Sequence, residues 1–148
     1  RGLKVGVLKH HAHPVPFDVP GKDTYRMSQA GADVVVGACS VQTAVFVAGD
    51  ASADLDEVIC TYLQKMDVVI TEGYKRGSYP KIEVHRAVRA AEDGAAATVL
   101  RDPDELIAVV TDEPLALPPS IPRFGLDSFA AVADMITGLV NSHERAAA

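Results

Sequence analysis

Asp67-Val68-Val69-Ile70-Thr71-Glu72-Gly73 is the stretch on which the fold turns. Its four central residues are all β-branched and favour an extended backbone. An apolar run on both faces predicts a strand in a parallel sheet covered on both sides. The run ends in a carboxylate and then a glycine, like a Walker B-type element. Parallel sheets collect ligands at the carboxyl ends of their strands. Glu72 therefore stands where a carboxylate could hold magnesium or its water, and Gly73 where backbone could approach a phosphate. Asp67 precedes the run and belongs to the opposite end. The competing reading makes Glu72 a rim charge paired with Lys75, worth roughly 0–1 kcal/mol.

Working outward, Asp54-x-x-Glu57 resembles a capping box and opens the clearest predicted helix. Leu55, Val58, Ile59, Tyr62, Leu63 and Met66 recur at helical spacing. Leu3–Leu8 reads as a buried strand. Pro14, Pro16 and Pro20 make 11–22 a loop. Asp23 is the expected cap of a short helix through Ala30, stopped by Gly31. Val34–Val36 and Ala44–Val47 suggest a hairpin, with Gly37 and Ser40 between the strands. Further strands are expected over Lys81–Val88, Ala97–Leu100 and Ile107–Asp112. A last helix starts near Asp127 or Ser128, with Phe129, Val132, Ala133, Ile136 and Val140 as its buried stripe. Its end at Asn141-Ser142 and beyond is expected to fray. Alternating strands and helices give an α/β fold with a mainly parallel sheet, read as a single domain over 1–148.

The 148 residues are 48% apolar, 23% charged and 5% aromatic, a globular balance that argues against disorder. A net charge of −6 without a basic run argues against nucleic acid and anionic membrane as partners. It still permits a phosphorylated small molecule, which needs local cations and backbone N–H groups. Cys39 and Cys60 lack metal-type spacing and suggest a reduced, cytoplasmic protein. No run is apolar enough to span a bilayer as a helix. Arg1-Gly2 before a strand reads as the end of a helix.

Gly21-Lys22-Asp23-Thr24 invites a phosphate-loop reading and fails it. That loop needs Gly-x-x-x-x-Gly-Lys-Ser/Thr, whereas position 16 is proline and position 23 aspartate. His10, His11 and His13 lie beside Asp18, yet adjacent histidines on a continuing strand point to opposite sides. Anion contact or loop packing is the expected role rather than a metal centre. Lys9, Lys22, Arg26, Lys75, Arg76 and Lys81 are candidate cations for one rim. Thr111 and Asp112 close a later strand.

The motifs LKVGVLKHHAH, FDVPGKDTYRMSQAGA, DVVITEGYKRGSYPKIEVHR and AVVTD, in this order and spacing, resemble the MobB family of molybdopterin guanine dinucleotide synthesis. The resemblance covers essentially the whole chain. It implies a P-loop NTPase-like fold of the SIMIBI type, with GTP and magnesium as ligands and at most weak GTP hydrolysis. It also implies a homodimer that assists the guanylyltransferase MobA in attaching GMP to molybdopterin. The family's first strand, phosphate loop and following helix would precede Arg1, so weak GTP binding is expected of this stretch by itself. On this reading Glu72 is the catalytic carboxylate, and Asp23 and Glu72 serve the magnesium. Lys9 or Lys22 faces phosphate, Gly73 permits close approach, and Thr111 and Asp112 lie on the base side. A docking module for the guanylyltransferase or pterin, and a histidine-dependent metallochaperone, are the competing functional classes.

Overall fold

The computed structural model describes residues 1–11, 13–49, 54–74, 77–87 and 103–147. The chain forms two compact units, Lys4–Lys75 and Arg1–Leu3 with Arg76–Ala148.

In the Lys4–Lys75 unit, β1 (Val5–Lys9) pairs in parallel with β4 (Val68–Glu72), from Val5 opposite Val68 to Lys9 opposite Glu72. One face of this ribbon is covered by the segment between them. A Cβ on Gly6 would come within 3.0 Å of Met66 Cγ and 3.1 Å of Leu63 Cδ2, so glycine is what lets that segment lie close. On the other face Val5, Val7 and Ile70 stay open within the unit, Val7 at 69% exposure. Among the described residues of this unit, the expected cover on both faces is present on one.

The segment over Gly6 starts as α2 (Leu55–Val58) and widens into a π-helical turn over Ile59–Leu63. A continuous α-helix to Met66 was the expectation. β-branched Val58, Ile59 and Thr61 lower helix propensity there. Tyr62, assigned to the buried stripe, is 54% exposed. Asp54 does cap α2, but its Oδ1 accepts from the N–H of Asp56 at 3.4 Å, so the box with Glu57 is not what closes the end.

The hairpin is present, with β2 (Val34–Ala38) antiparallel to β3 (Thr43–Val47). Cys39 N–H donates to Gln42 O at 2.9 Å across the turn. Gly37 lies inside β2 rather than in the turn, and a Cβ there would meet Thr24 Cγ2 of α1 (Asp23–Gln29) at 3.5 Å. The cap residue of α1 is Lys22, extended at φ −76° and ψ 164°, with no side-chain hydrogen bond. Asp23 is instead the first helical residue, where its charge suits the helix dipole. Gly31, at φ +99°, ends the helix as expected.

In the other unit, β5 (Lys81–His85), β6 (Leu106–Thr111) and β7 (Arg123–Phe124) form a three-stranded parallel sheet in that order. The middle strand is buried along both faces, as a central parallel strand should be. Leu106, Val109, Leu115 and Ile121 form its core, with Leu117 packed against them. Arg123 Nη2 donates to Leu115 O, and Val109 N–H donates to Pro122 O at 3.0 Å, fixing the loop between β6 and β7. Ala97–Leu100 falls outside the described residues.

The last helix, α3, runs Phe129–Ala147. Val132, Ala133, Ile136 and Val140 are half-buried, but Phe129 is 74% exposed and does not belong to the stripe. The helix continues past Asn141-Ser142, where Ser142 Oγ donates to Leu139 O at 2.7 Å. Arg1 meets this helix through Asp134 Oδ1 at 2.6 Å and Ala130 O at 2.9 Å. The hydrogen bond from Arg1 holds the Asp134 carboxyl below its usual range. Among the described residues no helix is long and apolar enough to cross a membrane.

Val109 is fully buried at 0% exposure. Val109→Ala removes two methyl groups and leaves a void, so it should cost about 2 kcal/mol in denaturant unfolding. A loss below about 0.5 kcal/mol would show that this core is not close-packed.

Candidate site at the carboxyl ends of the strands

The parallel register decides which charges meet. Val5, Val7 and Lys9 alternate onto one face of β1, and Val68, Ile70 and Glu72 onto the same face of β4. Lys9 and Glu72 are therefore partners at the carboxyl end. Lys9 Nζ lies 2.6 Å from Glu72 Oε2, with the two side chains 49% and 68% exposed. Among the described residues Glu72 pairs with Lys9; Lys75 and Arg76 lie outside them. Asp67 sits at the other end of β4, where its Oδ2 accepts from Lys4 N–H at 2.6 Å. Its backbone N–H donates to Lys4 O at 2.9 Å, so Asp67 secures the start of the strand pair.

Two constraints require glycine at 73. Its φ is +97°, and a Cβ would fall 2.5 Å from His10 O. The group that approaches Gly73 is thus the chain leaving β1. The same exit is tied by His10 N–H donating to Glu72 O at 2.8 Å. His10 also lies against Tyr74, ring centroids 4.8 Å apart, and His11 meets Phe17 edge-on at 5.7 Å. Loop packing is what these two histidines do. Among the described residues no three His, Cys, Asp or Glu side chains gather to hold a metal ion.

Lys22 and Asp23 are exposed at the start of α1, and among the described residues neither side chain has a hydrogen bond or ion pair. Arg26 lies in the last turn of the same helix. Lys81 leaves the candidate rim. It opens β5 at the amino end and is held by Gly77 O at 2.6 Å and Glu105 Oε2 at 3.1 Å. It staples the starts of β5 and β6, because a lysine at the head of a parallel strand reaches the turn before its neighbour.

Thr111 closes β6 opposite His85, and both are buried, at 5% and 8% exposure. Thr111 Oγ1 accepts from Glu113 N–H at 3.1 Å, so its hydroxyl shapes the turn. Asp112 is exposed, and its Oδ1 accepts from Ala87 N–H at 2.9 Å. His85 Nε2 pairs with Glu113 Oε1 at 2.5 Å. Sequence reasoning missed His85 and Glu113, which lie 28 residues apart and meet through the β5–β6 register.

Cys39 and Cys60 are free and exposed.

Parallel strands that deliver charged side chains at their carboxyl ends, flanked by helices, define an α/β protein of the P-loop NTPase-like class. Within that class the chain belongs to the MobB family. The family model for molybdopterin guanine dinucleotide synthesis protein B matches residues 1–112. The chain is 32% identical over 126 residues to a molybdopterin-guanine dinucleotide biosynthesis adapter protein of Escherichia coli, covering 79% of this chain and 66% of that protein. The adapter protein of the same name in Haemophilus influenzae is 31% identical, with 79% and 63% covered. The chain thus spans about two thirds of the length of these curated relatives. A crystal structure of molybdopterin-guanine biosynthesis protein B superposes with a TM-score of 0.68 at 26% identity, covering 95% of this chain and 81% of that one.

Gly73→Ala would force both an unfavourable φ and a backbone clash. It should destabilise the protein by about 2 kcal/mol or more in denaturant unfolding. A neutral substitution would mean that the His10 exit shifts freely.

Proposed function

We propose that the complete protein binds GTP with magnesium and assists the guanylyltransferase MobA in converting molybdopterin to molybdopterin guanine dinucleotide. The family supports a place in molybdenum cofactor biosynthesis. The observation that carries the site is the Lys9–Glu72 pair at the carboxyl edge of β1 and β4. A magnesium ion keeps several waters and needs one or two carboxylates, a donor set that an exposed Glu72 with Asp23 as a second carboxylate suits. When bound, the ion supplies charge neutralisation on the phosphates. Lys9 presents its ammonium at the same edge to phosphate oxygens, and Lys22 offers a second cation. Gly73 holds the chain leaving β4 against the chain leaving β1, so Lys9 and Glu72 keep their relation. Thr111 and Asp112 belong to the other unit, where Thr111 shapes the turn that presents Asp112.

We place the protein in the cytoplasm as a homodimer. Open apolar positions in the Lys4–Lys75 unit, Val5, Val7 and Ile70 on one ribbon and Val34 and Val36 on the other, support self-association. Sedimentation at about 50 μM, where a dimer worth roughly 6 kcal/mol is populated, should show a dimer. A stable monomer would contradict this.

Glu72→Gln should weaken magnesium-dependent GTP binding or hydrolysis at least ~10-fold in the complete protein, about 1.4 kcal/mol. Asp67→Asn should change stability and leave the nucleotide alone, because Asp67 caps the other end of the strand. Paired titrations with and without magnesium make the comparison. Equal effects of the two substitutions, or none from Glu72→Gln, would remove Glu72 from the site.

A further inference from the structure

Glu72 already carries a cation on its carboxylate. Lys9 Nζ lies 2.6 Å from Oε2, the short separation of a charge-assisted hydrogen bond. The backbone under the pair is fixed, since His10 N–H donates to Glu72 O at 2.8 Å and Gly73 lies close against His10 O. The two side chains are open by contrast, 49% and 68% exposed. Lys81 shows how a structural lysine is held in this chain. Its side chain is 16% exposed, and its ammonium reaches Gly77 O, Tyr79 O and Glu105 Oε2, one acceptor for each of its three N–H donors. Among the described residues Lys9 has one acceptor, Glu72. At the other end of β4, Asp67 is held by the backbone N–H of Lys4. Glu72 is held by a side chain that can leave.

An exposed ion pair adds little stability, so opening it is easy. It still matters to a second cation. A divalent ion on the same carboxylate would stand close beside the ammonium, and like charges at that range repel. A phosphate changes the balance, because it offers Lys9 several anionic oxygens in place of one carboxylate oxygen. We infer that Lys9 is a specificity-determining residue: it keeps Glu72 from taking a divalent ion alone, and it frees the carboxylate when phosphate oxygens draw the ammonium away. The edge thereby selects a metal–phosphate complex over the metal by itself. That metal and phosphate meet at this edge rests on the proposed function; the exclusion rests on the ion pair. The strand backbones keep their places, and only the two side chains exchange partners.

The test is a manganese titration of the complete protein, read as NMR broadening of the Glu72 and Gly73 amides. The unaltered protein, Lys9→Met and Lys9→Arg are compared with and without GTP. Without GTP, Lys9→Met should show the broadening at manganese concentrations at least ~10-fold lower than the unaltered protein. Lys9→Arg keeps the charge and should behave as the unaltered protein does. Adding GTP should lower the manganese needed by the unaltered protein at least ~10-fold, and by Lys9→Met much less. Three results would each overturn the inference: equal manganese dependence of Lys9→Met and the unaltered protein without GTP, equal dependence of the unaltered protein with and without GTP, or a Lys9→Arg response like that of Lys9→Met. If manganese with GTP still broadens Glu72 in the unaltered protein, such a result removes the exclusion by Lys9 and leaves the proposed site standing. Broadening that never reaches Glu72 with GTP, in any of the three proteins, would overturn the proposed site and the inference together.

Discussion

Parallel pairing of β1 with β4 is the constraint on which the Lys4–Lys75 unit depends. In-register parallel strands put residues of like phase on one face and like ends together. That places Lys9 against Glu72 at one edge and Asp67 against Lys4 at the other. The exposed ion pair contributes little to stability by itself. Its value is positional, since a cation and a carboxylate emerge side by side where parallel strands meet their ligands.

Glycines let the chain reach that arrangement. Gly6 allows Leu63 and Met66 to lie against the ribbon, and Gly73 allows the backbone leaving β4 to touch the carbonyl of His10. One glycine thus serves packing and the other serves the turn at the site. The three-stranded sheet of the other unit follows the same logic at its own carboxyl edge. There His85, Thr111 and Glu113 lock the turn that presents Asp112.

Much of this was legible in the sequence where a single local rule decides. The β-branched run Val68–Thr71, the valines of the hairpin and the stop at Gly31 all have local causes. So has the direction of β4, which separates Asp67 from Glu72. What escaped the sequence depends on long-range register or on competition between neighbours. Glu72 meets Lys9, 63 residues away, through the strand register, which spacing along the chain does not show. The π-helical turn, the exposed Phe129 and the staple made by Lys81 depend on tertiary packing, which periodicity does not report. Loop packing of the histidines was expected, but the partners of His10 and His11, Tyr74 and Phe17, were not legible. Asp18 was visible as a residue, but the burial of its Oδ2, without a partner among the described residues, is a fact of three dimensions.

The most direct test of the central claim replaces magnesium with manganese, which takes the same oxygen ligands and broadens nearby NMR signals. With GTP present in the complete protein, manganese should selectively broaden the amides of Lys9, His10, Glu72 and Gly73. Broadening centred on Lys4 and Asp67, or none along β1 and β4, would contradict a metal–nucleotide site at the carboxyl edge of this strand pair.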